Sequence, residues 1–186
     1  MRIVGGDWRG RVLQAPAGKD TRPTSGRTRE AVFNIIEHAP RAPDVRGLGV
    51  IDLFAGSGAL GLEALSRGAG FCLFVENAGP ALKALRANIE ALDAAPRAGV
   101  LARDAARLGP RPDGREPFDL AFLDPPYARG LGEASLAALR DGGWLAPGAL
   151  VVCERGSGEP APDVAGFDVL DERRYGAARV WFLGLG

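Results

Sequence analysis

The chain has 186 residues, which suits one domain with a short appendage, and 46% of them are hydrophobic, enough to supply a full core. Its 23 basic and 23 acidic residues cancel, and no run approaches the roughly 18 apolar residues that a membrane span needs. A single histidine, His38, leaves little material for a zinc site or histidine catalysis. The two cysteines, Cys72 and Cys153, sit in apolar runs and read as buried free thiols of a protein in the reducing cytoplasm.

The charge balance hides an asymmetry. Residues 1–46 hold nine Arg/Lys and five Asp/Glu, a net +4, and the remainder carries −4. Residues 2–14 read as a small β-hairpin turning through Gly5, Gly6 and Asp7, with Arg2, Trp8, Arg9 and Arg11 as a basic and aromatic face suited to phosphate contact and base stacking. A Pro/Gly loop follows, and a helix then opens at Thr24 or Ser25 and runs to about His38. Its stripe is Ala31, Val32, Ile35 and Ile36, with Phe33 near the edge. Arg22, Arg27 and Arg29 cluster at its start. Cations there oppose the helix dipole, so they point to an anionic partner, with a salt bridge to Glu30 as the plainer alternative. Residues 39–48 read as a linker, so an extension, 1–46, precedes a main domain, 47–186.

From Gly49 the chain alternates strand and helix. Gly49–Phe54 is a buried strand carrying one acid, Asp52. It runs into the turn Ala55-Gly56-Ser57-Gly58 and a helix from about Ala59 to Arg67 with Gly68 as its stop. Phe71–Glu76 is the second strand, and Pro80 to about Leu92 a helix with Leu82, Leu85, Ile89 and Leu92 on one face. Ala98–Ala102 is the third strand, followed by Asp104. Phe118–Leu123 is the fourth and ends in Asp124-Pro125-Pro126-Tyr127. A helix over Leu131–Arg140, a fifth strand over Ala149–Glu154 and a closing pair over Phe167–Leu170 and Arg179–Leu183 complete it. This pattern predicts an α/β fold, a doubly wound, mostly parallel sheet with ligands at the carboxyl ends of its strands. Asp52, Glu76, Asp104 and Asp124 fall at or near four such ends.

Gly56-x-Gly58-x-x-Gly61 matches the dinucleotide fingerprint, with Glu76 at the right distance for a ribose. Asp52 argues against a pyrophosphate, because like charges in a partly buried site repel. S-adenosylmethionine fits better. It has no phosphate, and its ammonium and sulfonium favour a nearby carboxylate. Glu76 suits the two ribose hydroxyls, and Asp104, with the Ala105 N–H, suits the adenine edge.

Asp124-Pro-Pro-Tyr127 carries the reaction. An exocyclic amino group of a base is a poor nucleophile because its lone pair is delocalised into the ring. Two acceptors, the Asp124 carboxylate and the Pro125 carbonyl, each take one N–H and leave the lone pair aimed at the methyl group. Pro126 restricts Pro125 to extended conformations, and the Tyr127 ring stacks on the base.

These motifs resemble class I S-adenosylmethionine-dependent amino-methyltransferases with a DPPY motif. With Arg2 to Arg11, Arg22-Pro-Thr24, Arg27-Thr-Arg-Glu30, Phe33-Asn34, Asp52 to Gly58 and Tyr175-Gly176, the chain is similar over nearly its whole length to the bacterial 16S rRNA (guanine-N2)-methyltransferase family of the D type. Gly26, where the family usually has an acid, and Thr28, where it usually has an aliphatic residue, depart from the pattern. The resemblance implies a Rossmann-like seven-stranded sheet with the last strand antiparallel, plus a hairpin-and-helix extension. It implies methylation of a small-subunit rRNA guanine at N2, by a monomer without metal. It assigns the cofactor to Asp52, Phe54, Ala55, Gly56, Ser57, Gly58, Glu76, Asn77, Asp104 and Ala105, and the amino group to Asp124, Pro125, Pro126 and Tyr127. RNA contact falls to Arg2, Trp8, Arg9, Arg11, Arg22, Arg27 and Arg29.

Three alternatives are weighed. A DNA adenine-N6 methyltransferase shares the tetrapeptide, but the chain has no evident target-recognition domain. A protein-glutamine methyltransferase usually has Asn at the position of Asp124. A non-catalytic RNA-binding ribosome-assembly protein has no need of acids at four strand ends.

Overall fold

The computed structural model describes residues 1–16, 26–38, 44–126 and 130–186. Arg22, the expected cap residues Thr24 and Ser25, and Tyr127 lie outside the described residues. The helices are α1 (Gly26–His38), α2 (Ala59–Ser66), α3 (Gly79–Ala91) and α4 (Leu131–Asp141). The strands are β1 (Gly49–Leu53), β2 (Phe71–Glu76), β3 (Ala98–Ala102), β4 (Phe118–Leu123), β5 (Leu145–Gly156), β6 (Phe167–Tyr175) and β7 (Ala178–Leu185). None of these helices is long and apolar enough to cross a membrane.

The strands form one seven-stranded sheet in the order β3-β2-β1-β4-β5-β7-β6. Strands β1 to β5 pair in parallel, and β7 is antiparallel to both of its neighbours, so it alone is reversed in the sheet. The central strands are apolar on both faces because helices cover both. Side chains alternate between the faces. Val50, Cys72, Phe74, Leu120 and Phe122 pack with α1, α2 and α3, whereas Ile51, Leu53, Leu73, Val75, Ala121 and Leu123 pack with α4 and Trp144. Both cysteines are free and buried, and burial pushes the Cys153 thiol up to about 12.

Three strands outrun the sequence reading, β7 by only three residues. β5 begins at Leu145 rather than Ala149, because Leu145 pairs with Phe118 of β4, and ends at Gly156, opposite Ala178 of β7. β6 continues from Leu170 through Asp171, Glu172, Arg173 and Arg174 to Tyr175. Those charges conceal a strand from a hydrophobicity pattern, but charged residues suit a sheet edge, which β6 forms.

The buried line of α1 is Thr28, Arg29, Val32, Phe33 and Ile36. Phe33 is therefore central rather than marginal: it is fully buried, 5.5 Å from the Phe122 ring, with the Arg67 guanidinium 4.8 Å over its own ring. Ala31 and Ile35 are only half-buried. The helix turns by this amount because Arg29 has a buried partner, Glu63 of α2, at 3.5 Å. The extension also shares the core of the sheet. Ile3 and Leu13 are buried in the same cluster as Leu62, Leu65 and Phe74.

Residues 1–14 fold back on themselves through a single antiparallel bridge, Arg2 with Val12. The Ile3 N–H donates to Arg11 O at 3.0 Å and the Leu13 N–H to Met1 O at 2.9 Å. This narrow loop lies along α2. Its open end, Met1 and Gln14, reaches the turn after β1, where the Ser57 hydroxyl is 3.6 Å from the Met1 sulfur. Its tip reaches the far end of α2, where the Asp7 N–H donates to Ser66 O and the Trp8 N–H to Ser66 Oγ.

Candidate cofactor and methyl-transfer site

Strand β1 ends in a strained turn. Phe54 has φ 58°, Gly56 has φ 55° and Gly58 has φ 82°. The two glycines are where sequence places left-handed conformations. Phe54 is an addition, and a bulky residue in that region is uncommon outside functional sites. The Gly58 N–H closes the turn onto Ala55 O at 2.7 Å, and the Ala55 N–H ties it to Val75 O of β2 at 3.1 Å.

The two turn glycines have different jobs. A Cβ on Gly58 would lie 2.5 Å from Leu85 Cδ1, and one on Gly61 would lie 2.4 Å from Phe74 Cε1, so both let α2 and α3 close on the sheet. A Cβ on Gly56 would meet nothing nearer than Phe54 O at 3.9 Å. Gly56 thus marks the open side of the turn, where a ligand can approach the backbone.

The sheet order sets the four acids in a row along the carboxyl edge: Asp104 after β3, Glu76 at the end of β2, Asp52 in β1 and Asp124 after β4. Three inter-strand spacings make that row about 14 Å long. Asp52 is 2% exposed and accepts the Gly61 N–H at 2.9 Å. Its carboxyl is raised to about 7, chiefly by burial; the Gly61 bond pulls it down and the nearby Glu76 pushes it further up. Among the described residues no cation forms an ion pair with it. A cationic ligand at the turn would supply the missing charge, so the donor set fits S-adenosylmethionine.

The raised carboxyl has a consequence for the folded protein. Its folded pKa, about 7, lies above the ordinary 3.8, so the folded state holds this proton more tightly than the unfolded chain does. The stability it contributes is full below pH 3.8, is lost as pH rises towards 7, and does not change above that. Urea midpoints of wild type and Asp52→Asn, compared without cofactor from pH 4 to 8, are therefore expected to converge or cross in this window. Parallel pH profiles would show that Asp52 is not the group responsible.

Glu76 braces the turn as well as facing the site. Its Oε2 accepts the Gly56 N–H, and its Oε1 accepts the N–H groups of Asn77 and Ala78, each at 2.8 Å. A carboxylate has about four acceptor positions. Three are taken, leaving one for a ribose where sequence suggests two hydroxyls. Asn77 itself is exposed. Asp104 Oδ1 caps the 3₁₀ turn Ala105–Arg107 through the Ala106 N–H at 2.9 Å, and Ala105 is buried beneath it.

Asp124 is half-buried directly beyond β4, Pro125 is buried and Pro126 exposed. A recess beside them is walled by Pro125, Pro126 and Gly132 and by Arg155 and Glu159 at the end of β5. Arg155 is buried there, paired with Glu133 of α4 and donating to Pro160 O at 2.7 Å.

The residues expected to contact RNA divide into three groups. Arg29 has no exposed surface; its guanidinium donates to the Arg2 carbonyl and pairs with Glu63, so it is a structural cation. Its sequence position beside exposed Arg27 gives no hint of this. Trp8, Arg9 and Arg11 sit at the amino edge of the sheet, opposite the acids. Trp8 lies over the end of α2 with the Arg97 guanidinium 5.2 Å from its ring, and Arg11 donates to Ala91 O at the end of α3 at 2.6 Å. A stacking role for Trp8 at the reacting base does not fit this placement. Arg2 and Arg27 are exposed, Arg2 next to Met1 at the open end of the loop. The Arg67–Glu37 pair fixes the other end of α1, and Arg27 is ten residues before Glu37, about 15 Å along the helix.

Two organising residues escape a motif-based reading. Glu63 is fully buried among Leu62, Ala64 and Leu65, accepts the Val4 and Gly5 N–H groups at 2.9 and 2.7 Å, and pairs with Arg29 and Arg67. Asn88 is 1% exposed on the apolar face of α3. In each case the available signal is a polar residue on an apolar helical stripe, which requires a partner when buried.

Comparison with known proteins agrees with this geometry. The family model described as "Conserved hypothetical protein 95" matches residues 1–184. "Ribosomal RNA small subunit methyltransferase D" of Escherichia coli (strain K12) is 40% identical over 154 residues, 83% of this chain and 74% of that protein. "Putative rRNA methyltransferase YlbH" of Bacillus subtilis is 37% identical over 182 residues, 97% of this chain and 96% of that protein. Among solved structures, "Putative methyltransferase yhhF from Escherichia coli" superposes with a TM-score of 0.83 at 36% identity, covering 100% of this chain and 97% of that one. The "putative methylase HI0767" of Haemophilus influenzae gives a TM-score of 0.79 at 28% identity, covering 99% and 97%. The chain belongs to this family, the D-type methyltransferases of small-subunit ribosomal RNA.

Proposed function

We propose that the protein transfers a methyl group from S-adenosylmethionine to the exocyclic N2 of one guanine in 16S rRNA. The observation that carries the reading is the row of acids, in which a buried carboxylate with no ion-pair partner among the described residues, Asp52, neighbours the strand that ends in Asp124-Pro125-Pro126. The names of the relatives support RNA of the small ribosomal subunit as the substrate.

S-adenosylmethionine supplies an electrophilic methyl group on its sulfonium. Asp52 offsets the positive charge of the ligand, the open face at Gly56 admits it, and the remaining acceptor of Glu76 orients its ribose. Asp124 and the Pro125 carbonyl hold the two protons of the base amine, so that its nitrogen becomes pyramidal with the lone pair free. Orientation sets the rate of an in-line displacement. The methylated nitrogen is acidic while it bears its extra proton, so Asp124 serves without being a strong base. The base must reach this edge unpaired or flipped out, and Tyr127 is the residue we assign to stack on it.

Arg2 and Arg27, both exposed, are assigned to RNA phosphates. Neutralising both is expected to reduce the slope of log affinity against log salt by about 1.4–1.8, whereas neutralising Arg9 and Arg11 leaves it unchanged. Filter binding of 16S rRNA fragments at several salt concentrations measures this. The opposite ranking would put the RNA at the other edge of the sheet. The same reading makes the extension a docking element and residues 47–186 the catalytic unit, even though the two share a core.

A further inference from the structure

The carboxamide of Asn88 joins two segments that the reaction uses separately. It projects from the last turn of α3 and is buried. Its Oδ1 accepts the Gln14 N–H at 2.8 Å, and its Nδ2 donates to Gln14 O at 3.0 Å and to Ser57 O at 2.9 Å. Both amide protons and the oxygen are used. The pair of bonds to Gln14 copies a strand pairing, so a side chain on α3 continues the fold of the extension where its own single bridge has ended. The third bond holds the carbonyl of the cofactor turn between the two glycines of positive φ.

The turn has few other anchors. Asp52 and Glu76 hold its flanks through Gly61 and Gly56, and the Gly58 N–H closes it internally. The Ser57 peptide is gripped by Asn88 and, through the hydroxyl, by the Met1 sulfur. Both grips come from outside the strand and helix that the turn connects, and both involve the open end of the extension. A turn with two left-handed glycines is intrinsically permissive, so its bound shape depends on such external fixings.

We propose that Asn88 is a positioning residue for the cofactor, through which the N-terminal extension forms part of the cofactor site: ordering of the turn and ordering of Gln14 are coupled. The proposal rests on the reading that the turn after β1 holds S-adenosylmethionine. Coupling is reciprocal. Cofactor binding steadies the extension, and an RNA that steadies the extension tightens the cofactor.

The test titrates S-adenosylmethionine calorimetrically into the full-length wild type, Asn88→Ala and Asn88→Asp, alongside amide exchange on the wild type. Asn88→Ala removes all three bonds. Asn88→Asp keeps the acceptor for the Gln14 N–H and loses both donations, which leaves a buried carbonyl unpaired. Each is expected to weaken the cofactor by about tenfold or more, raising its KM while kcat at saturating cofactor stays within about threefold of wild type. A merely structural defect would lower kcat through loss of folded enzyme. In the wild type, saturating cofactor slows exchange of the Gln14 amide. Wild-type binding with unchanged affinity in both Asn88 variants, or unaltered Gln14 exchange, overturns this proposal alone. No binding to the wild type removes both the proposal and the cofactor reading beneath it.

Discussion

Asp124→Ala is expected to lower methyl transfer by about a thousandfold or more while S-adenosylmethionine still binds. The two effects separate because of the sheet. Asp124 follows β4, whereas the residues assigned to the cofactor lie at and beyond the carboxyl ends of β1, β2 and β3. On the proposed mechanism, removing the carboxylate takes away one of the two acceptors assigned to the base amine. The nitrogen then keeps its lone pair in the ring, and the displacement loses its nucleophile. Asp124→Asn retains one acceptor oxygen but presents an N–H to the amine when rotated, so its rate should fall between the two. Single-turnover transfer and calorimetric binding measured on the same preparation check this. Full turnover in Asp124→Ala would remove the mechanism.

The second large effect concerns the fold. Glu63→Ala is expected to destabilise the protein by about 3–5 kcal/mol, a fall in Tm of about 10 °C or more. Glu63 is fully buried and answers two cations and two backbone N–H groups. Burial already pushes the Arg29 guanidinium below its ordinary pKa, with Glu63 acting against that shift. Without Glu63 the Arg29 charge and the Val4 and Gly5 amides all lose a principal partner at once. Replacing the pair together, Arg29→Met with Glu63→Leu, should recover part of the loss, because an apolar pair no longer leaves a buried charge exposed to a low dielectric. Chemical denaturation of the wild type and the two variants gives the comparison. A cost below about 1 kcal/mol for Glu63→Ala would show that water reaches this cluster.

The two effects also mark what the sequence could and could not reveal. The strands of the sheet are short apolar runs between turn residues, and their ends carry the acids, so the carboxyl edge was readable from Asp52, Glu76, Asp104 and Asp124 alone. Left-handed Gly56 and Gly58 follow from having no Cβ. The burial of Arg29 does not follow, because it depends on Glu63, 34 residues later, and nothing local distinguishes it from exposed Arg27. The same holds for Trp8. Its neighbours Arg9 and Arg11 suggest a nucleic-acid face, but Ser66 and Arg97 draw the loop tip to the other edge of the sheet. Phe33 was misplaced for a related reason, since the helix stripe is set by partners on α2 and β4 rather than by the spacing of its own aliphatic residues. Local pattern thus specifies elements and the acids that line one edge, while long-range pairing of polar groups decides which faces are left exposed.

The most direct test supplies the wild-type protein with S-adenosylmethionine bearing a tritiated methyl group, together with small ribosomal subunits or free 16S rRNA, and digests the RNA to nucleosides. The account predicts that the label is recovered as N2-methylguanosine. Label in N6-methyladenosine, or no label in RNA from either substrate, would contradict it.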